Sequence, residues 1–224
     1  MADRGFPALA EDPEVELDDL ALALAAEFHT VDPDGARARL EALGGELEAL
    51  GGDLDAAGAR FPTAEVAACA EVLGERHGFR GDTEDYDHPD NSMLDVVLER
   101  RRGLPILLSV VYVEVARRAG VPLACVGLPG HFVVGHFGAA PPPLLDPFNR
   151  GAPVVAEVPP ALVRPWSAHE TALRMLNNLV SSFARRSRLD EAIRAARLRL
   201  ALPVPEQERQ RLGAELLALE ARLN

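Results

Sequence analysis

An α+β domain is the fold class this sequence predicts, and its pattern of apolar residues carries the prediction. Up to Gly120 apolar side chains recur at helical spacing, and Pro105–Ala119 is apolar on nearly every side, as a helix buried on every side must be. Strand-like runs then follow at Leu123–Leu128, His131–Phe137 and Leu144–Phe148. Helices first, one of them central, and then a small antiparallel sheet is the order of an α+β unit.

Residues 1–15, mixing acids with prolines, read as a loose arm before a helical N-terminal segment. From Leu17, apolar positions 17, 20, 21, 24 and 28 mark one helix face, and after His29–Asp34 a second helix runs to about Leu50, where Gly51-Gly52 is expected to end it. Thr63 is the expected cap of a third helix with Val66, Cys69, Ala70, Leu73 and His77 inward. An acidic loop, 81–91, lacks the Asp/Asn spacing and central glycine of a calcium loop. Ser92 and Asp95 have capping-box spacing for a short helix over 93–102 that should stop at Gly103. Pro105 suits a first helical position, and that helix stops at Gly120. Pro129-Gly130 and Gly138–Pro143 then separate the strands as turns. After Trp166 the pattern is helical again: Leu173, Leu176, Val180 and Phe183 form one stripe, Leu189, Ile193, Ala196 and Leu200 another. A last helix carries Leu212, Leu216, Leu219 and Leu223, and this tail, 167–224, is expected to pack on the core of residues 16–166.

Composition narrows the function. The 224 residues carry a net charge of −12, against the clustered positive charge that nucleic acid or an anionic membrane surface requires. All 23 basic residues are arginine, which excludes lysine Schiff bases and P-loop lysines. Cys69 and Cys125 are too few for a disulfide framework, and no apolar stretch is long enough to span a bilayer. The expected setting is the cytoplasm, with no metal or other cofactor.

The chemistry centres on His131 and Asp146. A histidine on one strand and an aspartate on its hairpin partner can meet as a cross-strand pair, the orienting half of a Cys-His-Asp triad. The nucleophile of such a triad belongs at the N-terminus of a buried helix, where the dipole lowers a thiol pKa. The helix at Pro105 is the candidate, and it carries no cysteine. Ser109, one turn on along the same helix face, is a substitute to weigh, though a hydroxyl needs stronger activation than a thiol; Cys125 sits on a strand, six residues before His131, and reads as buried. His136 alternates to the face opposite His131 and is expected at the surface.

The segments Tyr86–Ser92, Val97–Ile106, Leu107–Tyr112, Val115–Val121, Pro129–Phe132 and Leu145–Phe148, followed by Leu173–Leu179, closely resemble the SirB-type transglutaminase-like proteins of bacteria. The resemblance runs in consistent order from about Leu17 to Leu200. It implies a papain-like transglutaminase core with a short tetratricopeptide-like tail, in which His131 and Asp146 match the base and its orienting acid. The cysteine of active transglutaminases falls near Pro105, and SirB-type proteins generally lack it there too. Within the matched segments Asn91, Glu99, Arg101, Pro105 and Tyr112 are the expected binding residues; an arginine of the 100–102 run is expected to hold a carboxylate, and Asn91 to order the acidic loop.

Two functions remain open at this point. One is a non-catalytic module, a pseudoenzyme whose cleft holds a peptide or protein segment; the missing cysteine favours it. The other is a cysteine-independent amidase, hydrolase or acyl-transfer enzyme using His131 and Asp146 with water or Ser109; the buried acid favours it, because a buried charge is costly without a task or a partner.

Overall fold

The structure is a computed structural model and describes residues 4–223; residues 1–3 of the N-terminal arm lie outside them. The domain is α+β, helices leading and a small antiparallel sheet following. The arm is not loose where it is described. α1, Phe6–Ala10, docks Phe6 at 0% exposure into the core, because an aromatic buried together with Leu9 and Ala10 gains more than a short helix costs.

α2 spans Leu17–Ala26, and α3 runs Pro33–Ala56, straight through Gly51-Gly52. Helical glycines cost only about 0.5–1 kcal/mol each, and Gly44 lets α3 approach the later Arg118, whose Cβ would lie 2.6 Å from an added Cβ. The chain stops instead at Gly58, φ 63°. Pro62, not Thr63, begins α4, Pro62–Cys69, behind the N-cap Phe61; the helix widens into a π-helical segment over Ala70–Arg76.

β1, Arg80–Gly81, pairs in parallel with β2, Arg102–Gly103. Between them lies α5, Leu94–Arg100, capped at its end by Arg101 in the left-handed conformation (φ 57°) rather than by Gly103, which is in β2. The capping box at Ser92 does not form. Met93 is the N-cap, and Asp95 turns to His29, whose Nε2 lies 2.6 Å from Asp95 Oδ2.

α6, Pro105–Arg118, is the buried central helix, with every residue from Pro105 to Tyr112 buried. It packs against β3, Leu123–Leu128, and β4, His131–His136. β5, Leu144–Asp146, and the unanticipated β6, Ala152–Pro153, complete a sheet of order β3-β4-β5-β6, antiparallel throughout. β5 ends at Asp146, where Pro147–Asn149 make a 3-10 turn in place of further strand.

His136 is 1% exposed, not at the surface; its Nε2 lies 2.7 Å from Glu65 Oε2 of α4. β4 is buried on both faces from Phe132 to His136, so alternation along it does not separate inside from outside. α7, Ala168–Arg185, starts at a capping box between Ser167 and Glu170 and sends Met175, Leu176, Leu179 and Phe183 into the core. α8, Leu189–Arg199, packs on α7, and α9, Glu206–Glu220, on α8.

Candidate functional site

Gly130, at φ 73°, reverses the chain so that His131 opens β4, and Asp146 closes β5. Val134 pairs with Leu145, so Asp146 is a diagonal neighbour of His131 across the ladder. The reach is sufficient: His131 Nε2 lies 2.9 Å from Asp146 Oδ2. An ionised carboxylate only accepts, so the bond places the proton on Nε2 and leaves the Nδ1 lone pair free to act as a base. The histidine side chain is 36% exposed and the aspartate 12%, an open imidazole on an enclosed acid.

Asp146 is itself held. Its Oδ1 accepts the Phe148 N–H at 3.0 Å and its Oδ2 the Asn149 amide at 2.6 Å, while its carbonyl takes the Gly151 N–H at 2.8 Å. Arg150 (φ 57°) and Gly151 (φ 75°) then fold the chain back into β6. This turn presses on the π-helical segment so closely that a Cβ on Gly74 would sit 2.0 Å from the Arg150 carbonyl oxygen. A Cβ on Gly151 would reach 2.9 Å from Ala70 and 3.0 Å from the Tyr112 hydroxyl.

The start of α6 converges on the same turn through the acidic loop. The Leu104 N–H donates to the Asn91 carbonyl at 3.0 Å, and Asn91 Nδ2 donates to the carbonyls of Asp85 and Tyr86. Asp82 is the loop's buried anchor. Burial alone would raise its carboxyl, but the N–H groups of Asp85 and Glu84, the Asn91 amide and Arg100 (3.1 Å) hold it below the usual range. The Phe148 ring covers Gly81 and meets Tyr86 edge-on at 5.9 Å. Asn91 thus orders the loop, and Arg100 rather than Arg101 is the arginine of its run that holds Asp82.

Pro105 occupies the first turn of α6 and is buried. Ser109 is fully buried and donates its hydroxyl proton to the Pro105 carbonyl at 2.8 Å, within its own helix. Tyr112 is buried with its hydroxyl unpaired among the described residues, and burial pushes that phenol up. Both cysteines lie in the interior, Cys69 on α4 and Cys125 on β3, and burial pushes each thiol up to about 12.

Glu99 and Arg101 are elsewhere. They line a groove of about 280 Å³ with His77 and α3, which includes neither His131 nor Asp146. A larger hollow of about 650 Å³ lies among α1, α2 and α3, again apart from the pair. Among the described residues no group of three or more His, Cys, Asp or Glu side chains is placed to hold a metal ion, and no helix is long and apolar enough to cross a membrane. Sequence reasoning missed the parts that lock Asp146: Asn149, Gly74 and Gly151. The run Asp146-Pro147-Phe148-Asn149 carried a turn signal; the glycines carried none.

A family model described as the transglutaminase-like superfamily matches residues 16–178. A UPF0162 protein of Xylella fastidiosa (strain 9a5c) is 39% identical over 161 residues, 64% of this chain and 57% of that protein. F-box only protein 21 of Mus musculus is 31% identical over 169 residues, 68% of this chain and 26% of that protein. The chain therefore spans little more than half the length of the first and about a quarter of the second. No solved structure matches it significantly.

Proposed function

The chain belongs to the transglutaminase-like superfamily, and from that premise we propose that it is a SirB-type member acting as a non-catalytic module that binds a peptide or protein segment at the His131–Asp146 face. The observation that carries this reading is the start of α6. A proline stands where the dipole would activate a thiol, and the chain's two thiols are buried and protonated at neutral pH, one on α4 and one on β3. Loss of the nucleophile from a triad that acts as a unit costs roughly a millionfold in turnover, so the pair left behind is not a thiol acyl-transfer enzyme. What it retains is a binding surface: an exposed imidazole with a fixed tautomer and a free acceptor at Nδ1, rimmed by the ordered loop at Tyr86 and the turn at Phe148. A ring-nitrogen acceptor there suits an N–H group of a bound peptide.

The second reading, hydrolysis with water as nucleophile, is favoured by the same half-exposed histidine held by a carboxylate. Ser109 does not support it, since its proton is spent inside α6. A random peptide library incubated with the wild type and with His131→Ala, then read by mass spectrometry, separates the two. Peptides retained by the wild type at unchanged mass, and lost from His131→Ala, support the module. Peptides cleaved, deamidated or cross-linked by the wild type alone would establish an enzyme and overturn it.

A further inference from the structure

The groove that holds Glu99 and Arg101 is a separate feature and does not rest on the His131 reading. Its floor is apolar, made by Leu43 of α3, Leu98 of α5 and Phe79, the last two residues 5% and 1% exposed. Its rim is charged. Arg39 and Glu46 flank Leu43 four residues before and three after, one face of α3, while Glu99 and Arg101 stand at the end of α5.

The charges on that rim are unequally used. His77 Nε2 lies 2.9 Å from Glu46, and Arg101 Nη1 donates to the His77 carbonyl at 3.1 Å. Among the described residues neither Arg39 nor Arg101 lies on a carboxylate, although most arginines of this chain do, for instance Arg60, Arg100 and Arg118. Both therefore have donors to offer at the groove, beside Glu46, which is turned to His77. Arg101 also occupies the left-handed conformation, φ 57°, where a helix normally ends on glycine. A side chain kept at a disfavoured backbone position, and aimed into a groove, points from strain to use.

We propose that this groove binds a small apolar carboxylate, the chemistry of the C-terminal residue of a peptide. The carboxylate lies on Arg39 and Arg101, whose planar forks suit it, and the apolar side chain rests on Leu43, Phe79 and Leu98. Glu46 and Glu99 on the same rim repel every anion, but a dianion such as phosphate about twice as strongly as a single carboxylate, which favours the latter. The volume, about 280 Å³, stands at the lower edge of small-molecule sites, typically about 300–1,000 Å³, and so admits one residue rather than a long segment.

The test is an NMR titration of the full chain with N-acetyl-leucine, N-acetyl-leucinamide and inorganic phosphate. N-acetyl-leucine is expected to give saturable shifts at Leu43, Phe79 and Leu98, and the amide and phosphate none there. Arg39→Ala and Arg101→Gly are each expected to weaken binding by about 10-fold or more. Glycine accepts the backbone at 101, so Arg101→Gly should melt no lower than the wild type while losing affinity, which separates binding from folding. No saturable shift up to about 10 mM, equal binding of the amide, phosphate binding in the groove, or undiminished affinity in both variants would each overturn the proposal.

Discussion

Replacing Arg118 with methionine would take a shared cation away from two carboxylates inside the domain. Arg118 Nη2 lies 2.5 Å from Asp18, Nη1 2.8 Å from Glu114, and Nε 2.9 Å from Glu41. The Glu41 side chain is 68% exposed, so that contact contributes about 0–1 kcal/mol. Asp18 and Glu114 are different: their side chains are 3% and 2% exposed. Arg117 remains 2.9 Å from Glu114 but reaches Asp18 only at 3.9 Å, so Asp18 loses most. Removing one partner from a buried pair costs about 3–5 kcal/mol, and methionine keeps enough of the stem to limit the packing loss. For a chain of this size that lowers Tm by about 6–20 °C.

The pH dependence has a definite sign. Wild-type Glu114 already sits above the usual carboxylate range, through burial first and then Asp18, against the pull of Arg117 and Arg118. In the variant Glu114 loses the pull of Arg118, and its folded pKa stands further above its unfolded one. Protonation then favours the folded state: that stabilisation is present below the unfolded pKa and is lost as pH rises through the folded one. The deficit relative to wild type is therefore largest near neutrality and smaller at about pH 5. Urea unfolding at both pH values measures it, and adding Asp18→Asn to Arg118→Met should recover about 1–3 kcal/mol. A loss below about 1 kcal/mol at neutral pH, or one unchanged on acidification, would refute the reasoning.

Other parts of the structure are open to equally direct tests. Asp146→Asn replaces the acceptor of the His131 Nε2 proton, and imidazole ¹⁵N shifts should change; identical shifts would separate the two groups. Gly74→Ala drives a methyl into the Arg150 carbonyl and should cost about 3 kcal/mol or more, so a wild-type melting temperature would contradict the close approach. Leu176→Ala, at 0% exposure on α7, should lower a single unfolding transition by about 2–5 kcal/mol; two separate transitions would mean that α7 and the core unfold independently.

Local pattern read the central helix well. A helix that is apolar on every side has one environment open to it, and Gly120, at φ 69°, ends it where expected. The histidine and aspartate meet because hairpin pairing is itself a short-range event. The tip of that hairpin is less legible: the pattern places Asp146 within a strand continuing to Phe148, yet it caps a turn. Glycine misled in the other direction. Gly51-Gly52 resemble a stop, but packing and helix propagation outweigh a penalty of about 1 kcal/mol each.

By itself, then, the order of residues determined the α+β class, the buried helix, the absence of a cysteine at its start and the candidate pair that remains. Tertiary structure alone decided where the other side chains spend their charges and protons. His136 meets Glu65 across 71 positions of chain, and Asp95 leaves its capping role for His29 across 66. Glu99 and Arg101 face α3 rather than His131. Spacing along a chain records what a residue can do with neighbours one or two turns away. Which distant surface it is pressed against depends on how whole helices and strands bury their apolar faces together, and that choice is made by the assembled core.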